Sequence, residues 1–294
     1  MIRAGGQKQL TSLAVGLAAM GACLAAVDAA IVRAIDGDVH PFVIAFFRAS
    51  FGALVVLPLV ILRPAVLQSV FTLRQHMLRA GLKLAALVAF FAAFAQGPLT
   101  DVTAIAFTSP LFVVVGAALM LGERLGLLKL IALGLGFVGA LVILGPQGAG
   151  LTWGMGFALS GAVMQAVIQL MLKSMSSGDS TATLVVLNLL LTVPMAAVLA
   201  ATVWVPPTLP QLGLLALQGV LGAACMVMMT HAFRLADASV VAPIDFLRLP
   251  LIALLGWLVF SETARPATWV GGGLISVAAM IASRGGRTPA QRAD

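Results

Sequence analysis

The sequence predicts an all-α polytopic membrane protein, with ten transmembrane helices in two inverted five-helix repeats. Three observations predict it. Of 294 residues, 61% are hydrophobic and only 9% are charged, against roughly 25% charged in a soluble domain. The apolar residues fall in runs of about 20, the length a helix needs to cross the hydrocarbon core. The second half of the chain also repeats landmarks of the first.

The mean hydropathy of +1.11 leaves the bilayer as the only solvent able to accommodate so much apolar surface. Ten runs are counted, at about 11–32, 42–62, 79–97, 101–121, 125–144, 152–173, 182–203, 211–233, 238–260 and 267–283. Each is read as a helix, because a lone spanning segment must satisfy its own backbone hydrogen bonds. Alternating strands of about 10 residues, the mark of an outer-membrane barrel, do not occur. The first run is too long for a signal-peptide core and is read as a retained span. The organisation expected is a cytoplasmic tail at 1–9, one five-helix repeat at 10–145, a second at 150–284 and a cytoplasmic tail at 285–294.

Lysine and arginine set the orientation. With the N-terminus inside, Arg3, Lys8, Arg63, Arg74, Arg79, Lys83, Arg124, Lys129, Lys173, Arg234, Arg284, Arg287 and Arg292 fall on the inner side, and only Arg33 and Arg265 on the outer. By the positive-inside rule this predicts a bacterial inner-membrane protein with both termini in the cytoplasm. The net charge of +7 is explained by the same loops, so nucleic acid is not an expected partner. Cys23 and Cys225 lie inside apolar runs and show neither disulfide nor metal spacing.

The repeat is read from an ordered series of matches. Leu10-Thr11 corresponds to Leu151-Thr152, and Gly37-Asp38 to Gly178-Asp179. Leu99-Thr100-Asp101 corresponds to Leu235-Ala236-Asp237. Phe107, Leu119, Glu123, Gly134 and Ala140 correspond to Phe246, Leu258, Glu262, Gly273 and Ala279. Each half holds five spans, an odd number, so the second must be inverted in the membrane. Inverted repeats are a secondary-transporter architecture, in which two similar halves exchange roles around one site.

Leu119-Met120-Leu121-Gly122-Glu123-Arg124-Leu125, followed by Gly134 and Gly139, resembles the end-of-fourth-helix signature of EamA-type transporters, in the drug/metabolite transporter superfamily. The stretch 258–263 repeats it, with Ser261 in place of the usual Gly and Ala278 in place of the second Gly. Pro110 and Pro250 lie in the fourth and ninth spans, as is common in that family. The resemblance implies ten helices, a central cavity, and transport of amino acids, nucleotide-like metabolites, vitamins or drugs.

Charges inside spans cost about 2.5–3.5 kcal/mol each on insertion scales, so each marks a functional candidate. Asp28 and Arg48 could pair across adjacent helices, as a structural ion pair or as part of a substrate or proton site. Asp245 and Arg248 are three apart and share a helix face. Either they bridge within the helix, or Arg248 faces an anionic group, which the guanidinium fork suits. Gln165 and Gln169 share a face of the sixth span, and Gln169 matches Asp28 in the repeat. Asn188 adds an amide in the seventh span. These amides are read as cavity lining or as interhelical hydrogen bonds. Glu123 and Glu262 are read as acids at the starts of the fifth and tenth helices, favoured by the helix dipole. His231 is read as packing, and His40 and His76 as loop residues. Pro110, Pro243 and Pro250 should interrupt spans four and nine.

Together these features predict a secondary transporter working by alternating access around a central cavity. Arg48, Arg248, Gln165, Gln169 and Asn188 are its substrate-binding candidates, and Asp28 and Asp245 its ion-pair or proton-coupling candidates. Amino acids or organic anions are the expected substrates, with nucleotide-like or vitamin-like metabolites as the alternative. No phosphate-binding loop is present, so ATP is not expected, and no cofactor or metal is expected either. A monomer suffices for the scheme. A membrane-embedded lipid-modifying enzyme would need a cluster of acids and histidines at one interface, which the sequence does not display. A pore would need rings of like charge.

Overall fold

The computed structural model of the protein describes residues 2–35, 39–96, 99–145, 153–260 and 266–284. Glu262, Arg265, Asp38, Thr152 and the tail at 285–294 lie outside the described residues.

The described chain is a bundle of helices. In order they are α1 (Ile2–Ala34), α2 (Pro41–Leu62), α3 (Leu73–Gln96), α4 (Leu99–Ala106), α5 (Ser109–Met120), α6 (Leu127–Leu144), α7 (Trp153–Met175), α8 (Thr181–Ala201), α9 (Leu209–Leu235), α10 (Ala238–Val241), α11 (Arg248–Phe260) and α12 (Pro266–Arg284). Seven stretches are long and apolar enough to cross a membrane, and the apolar cores of α5, α6 and α12 are shorter. At 1.5 Å per residue the 18-residue α6 still extends about 27 Å, close to the hydrocarbon thickness.

Spans four and nine are interrupted where proline predicts. Pro110 occupies the first turn of α5, so the fourth span breaks into α4 and α5 around Phe107 and Thr108. The ninth starts as α10, tightens into a 3-10 turn at Ala242–Leu247 that contains Pro243, and resumes as α11. Two boundaries differ from the sequence reading. The first helix starts at Ile2, so the expected N-terminal tail continues it. The third starts at Leu73, which takes His76 out of the loop and into helix and sets Arg79 and Lys83, counted with the inner-side charges, well inside it.

Packing follows the repeat. α6 lies along α12, and α2 along α8. α1 packs on α9 as α7 packs on α3, and α2 meets α9 as α8 meets α3. Exchange the two halves and this contact pattern maps onto itself. The helices approach closely because small residues face one another, which is how association proceeds without a hydrophobic drive between helices. Ala14, Ala18, Ala22 and Ala26 form a fully buried stripe on α1, and Ala158, Ala162 and Ala166 one on α7. Gly219 of α9 sits so close to α2 that a Cβ there would lie 2.9 Å from the Gly52 nitrogen. Large apolar side chains such as Leu119, Trp153 and Leu209 point outward instead. That is the arrangement a lipid solvent selects.

Candidate functional site

The four charged residues singled out inside spans come together from four places in the bundle. Asp28 on α1 and Arg48 on α2 form an ion pair, with Arg48 Nη2 3.0 Å from Asp28 Oδ2. Gly222 on α9 leaves the space for this guanidinium, since a Cβ there would meet Arg48 Nε at 2.9 Å. Gln218, one turn earlier on α9 and fully buried, faces Asp28. Asp245 lies in the 3-10 turn and Arg248 opens α11. Their separation is looser, 3.9 Å between Arg248 Nη2 and Asp245 Oδ2. α1, which carries Asp28, packs on both the 3-10 turn and α11, so the two pairs lie on neighbouring elements of the bundle.

This cluster is not sealed. The Arg48 and Arg248 side chains are 40% and 36% exposed. Arg48 lies seven residues into α2, roughly 10 Å along the helix. A charge at that depth faces a bundle interior or a water-filled cavity rather than lipid. The arrangement can therefore hold a polar solute between the helices.

Arg248 has a second partner. Its guanidinium carbon lies 5.2 Å from the centre of the Phe107 ring, within cation–π range. Phe107 in turn stacks on Phe246 at 6.2 Å. These two phenylalanines are repeat equivalents, one at each helix interruption, and they meet across the axis that relates the halves.

Gln165 and Gln169 on α7 are half-buried, and Asn188 on α8 is buried. Gln169 Oε1 and Asn188 Oδ1 have no hydrogen-bond partner. Among the described residues these amides make no hydrogen bond to the charged cluster. The structure brings the charges together and leaves the amides on the walls of the opposite repeat.

Sequence reasoning missed Lys83. It lies ten residues into α3, about 15 Å along the helix and near half the hydrocarbon thickness. It falls inside the apolar run at 79–97, and counting it with the inner-side charges hides it as a charge within a span. A separate groove lined by Leu73, Arg74, Met77 and Leu82 runs along α3 and contains none of these central charges.

The end of the bundle rich in lysine and arginine is tied across the repeats. Asp179 accepts from the Val70 nitrogen at 2.8 Å and from Ser69 Oγ. His76 Nε2 lies 2.8 Å from Ser69 Oγ and 3.4 Å from Asp179 Oδ2. Far from being a loop residue, His76 is 1% exposed. A serine, a histidine and an aspartate meet here, but both partners sit on Nε2 and Nδ1 is unpartnered. A nucleophilic relay needs the acid on the nitrogen opposite the serine. On the other side of the same end, Lys129 pairs with Asp237 at 2.8 Å. Glu123 accepts from the nitrogens of Ala238 and Ser239 at 2.7 and 3.0 Å, and from Ser239 Oγ at 2.6 Å. The structural role expected for Glu123 holds, but the helix it caps is α10 of the ninth span, not its own. His231 Nδ1 on α9 lies 3.2 Å from Thr181 Oγ1 at the start of α8, an interhelical tie that fits the packing role expected of it.

The EamA-like transporter family model matches the chain twice, over residues 12–145 and 149–284. The chain belongs to the EamA-like transporter family. It is thus a multi-pass membrane protein of a small-metabolite transporter family. Among curated relatives, a riboflavin transporter of Rhizobium johnstonii is 35% identical over 71% of this chain and 70% of its own length. An S-adenosylmethionine uptake transporter of Rickettsia bellii is 26% identical over 82% and 83%. A pseudopaline exporter of Pseudomonas aeruginosa is 30% identical over 87% and 90%. A solved crystal structure superposes with a TM-score of 0.80 at 18% identity, covering 94% of this chain and 97% of that one. That likeness shows that the two chains share a fold.

Proposed function

We propose that this EamA-family protein is a secondary transporter that carries a vitamin-like or nucleoside-like metabolite across the bacterial inner membrane by alternating access. The observation that carries the reading is the cluster of Asp28, Arg48, Asp245 and Arg248, partly exposed, deep in the spans and drawn from both repeats. Arg48 and Arg248 hold the substrate, and Gln165, Gln169 and Asn188 line the facing wall. The names of the relatives, riboflavin and S-adenosylmethionine transporters, shift the preference from amino acids and simple organic anions to the vitamin-like class. Both termini lie in the cytoplasm on the evidence of the lysine and arginine bias.

Alternation uses the two interruptions. The Phe107–Phe246 stack is the pivot, and the polar ties of Asp179, Glu123 and Lys129 hold the basic end shut while the other end admits substrate. Asp28 and Asp245 are the acids placed to carry a coupling proton.

Uptake of riboflavin into proteoliposomes of the purified protein tests the proposal. Saturable uptake, competed by unlabelled riboflavin and reduced by Arg48→Ala and Arg248→Ala, is the expected result. Absence of saturable flux for riboflavin and for a panel of nucleosides and vitamins would sink it.

A further inference from the structure

We infer that the Gln218 amide is a two-way partner of the Asp28 carboxyl, donating to it when it is ionised and accepting from it when it is protonated, and so positions a proton there. This rests on the reading of Asp28 as a proton-coupling acid.

The first support is register. α1 and α9 run antiparallel. Ala14 and Ala18, low on α1, share a core cluster with Ala232 and Phe233 near the end of α9. Ile31, at the other end of α1, shares one with Leu215. Between these ends Cys225 Sγ lies 3.3 Å from the Gly21 carbonyl oxygen, and a Cβ on Gly21 would lie 3.1 Å from Met229 Sδ. Asp28 comes seven residues after Gly21, and Gln218 seven before Cys225. Seven residues make about two helical turns, so the two side chains stand on facing stripes at one level. Distances through Arg48 agree. A Cβ on Gly222 would lie 3.2 Å from Arg48 Nη2, and the same nitrogen is 3.0 Å from Asp28 Oδ2. Gly222 is one turn from Gln218, so the carboxyl is held against this stretch of α9.

The second support is the hydrogen-bond account. Arg48 takes Asp28 Oδ2. Among the described residues, Asp28 Oδ1 and Gln218 Oε1 are both buried and both lack a partner, and Gln218 is 1% exposed. A buried acceptor without a donor is costly, and a glutamine kept only to tie helices would be bonded. Two acceptors at one level need one hydrogen between them. An ionised carboxylate receives it from the amide, whose last torsion is broad and two-fold, so that Nε2 replaces Oε1. A protonated carboxyl supplies it itself, its O–H donating to Oε1. An amide serves both states, which neither an apolar side chain nor a pure donor can do.

The surrounding charges say when the proton arrives. Neighbouring elements offer Asp28 the guanidinium of Arg48 on α2, and Asp245 and Arg248 from the 3-10 turn and α11 that pack on α1. At this level α9 offers Gln218 and the Cys225 thiol, and its His231 and Arg234 stand 13 and 16 residues beyond Gln218. α10 carries no charge, and the one charge of α12 is its last residue, Arg284. Arg48, with its side chain 40% exposed, can turn to an acceptor on the solute. Asp28 then loses its cation and takes a proton from water. Gln218 holds that proton until Arg48 returns and the proton leaves to water.

The test is infrared difference spectroscopy of the purified full chain in lipid, titrated across the pH range in which it stays folded. The probe is the proton itself, so no substrate is needed. A carboxyl C=O band that appears on acidification and is missing from Asp28→Asn belongs to Asp28. Gln218→Met keeps the length but has no donor and a poor acceptor. In it the band should move to higher frequency as the O–H loses its acceptor. Its midpoint should move by about one unit or more, the scale on which a charge-assisted bond differs from a neutral one. Gln218→Asn, with its amide one methylene back, should fall between wild type and Gln218→Met, and decides the matter alone where Gln218→Met yields no folded protein. An Asp28 band with frequency and midpoint unchanged by either substitution would overturn the inference and leave proton coupling standing. No Asp28 band at any pH would overturn both.

Discussion

Glu123 offers a sharp test of how the bundle is tied. Its carboxylate receives the Ala238 nitrogen at 2.7 Å, the Ser239 nitrogen at 3.0 Å and Ser239 Oγ at 2.6 Å. Hydrogen bonds to an ionised group contribute about 1.5–3 kcal/mol each, and loss of an ordinary N-cap costs about 0.5–2 kcal/mol. The three bonds share one carboxylate and do not add, so Glu123→Ala should destabilise the protein by about 3 kcal/mol. At roughly 2–4 °C per kcal/mol for a chain of this class, the melting point falls by about 6–12 °C. Glu123→Gln keeps one acceptor oxygen and should lose about half as much. Reversible unfolding in mixed micelles supplies the numbers, and a double-mutant cycle with Ser239→Ala identifies the helix being capped. If Glu123 acts on α10, the two substitutions couple by about 0.5 kcal/mol or more. If it instead stabilises the start of its own α6 through the helix dipole, Ser239→Ala adds in full and the coupling is zero. That second outcome would refute the cross-repeat assignment.

Four further outcomes follow from the packing and the cluster. Gly219→Ala places a Cβ 2.5 Å from Phe51 Cβ and 2.9 Å from the Gly52 nitrogen, and should cost about 1–3 kcal/mol in the same unfolding assay. Gly213→Ala, in open space on the same helix, should be neutral or stabilise by about 0.5–1 kcal/mol. Phe246→Ala removes a fully buried ring from its stack on Phe107, and should lower stability by about 3–5 kcal/mol. Asp28→Asn breaks the 3.0 Å pair with Arg48; in proteoliposomes it should abolish pH-driven accumulation while leaving downhill exchange measurable. Unchanged accumulation in Asp28→Asn and Asp245→Asn alike would remove both acids from proton coupling.

The sequence made the scaffold legible because span length, loop charge and repetition are local or near-local signals. Ten runs, an odd number per half, and prolines at Pro110 and Pro243 are enough to place the helices and their interruptions. Pairings were legible only where they were close in register. Asp245 and Arg248 are three residues apart, and Asp28 and Arg48 sit on consecutive helices at matching depth. The reach of Glu123 to Ala238, 115 residues on, has no local signature. His76 and Lys83 were misplaced for a different reason. The apolar run of the third span begins at about 79, so His76 reads as loop and Lys83 as an inner-side charge at its edge, whereas the helix begins at Leu73 and His76 is buried in the bundle. Hydropathy marks where lipid contact starts, and a cavity-lining segment with polar residues looks like a loop to it.

The repeat also explains why the charges matter where they are. Exchange of the halves takes Asp28 to Gln169, and at the spacing of the Phe107–Phe246 match it takes Asp245 and Arg248 to Ala106 and Ser109. The scaffold is symmetric in its contacts, but every charge of the cluster has a neutral counterpart. The Asp28–Arg48 pair joins α1 to α2, and at the equivalent positions of the other half Gln169 on α7 and Leu189 on α8 carry no charge. One half of the central space is therefore charged and the other presents amides. On the proposed reading, alternation between near-equivalent halves keeps a solute in an oriented site, with one end toward Arg48 and Arg248 and a neutral polar face toward Gln165 and Gln169.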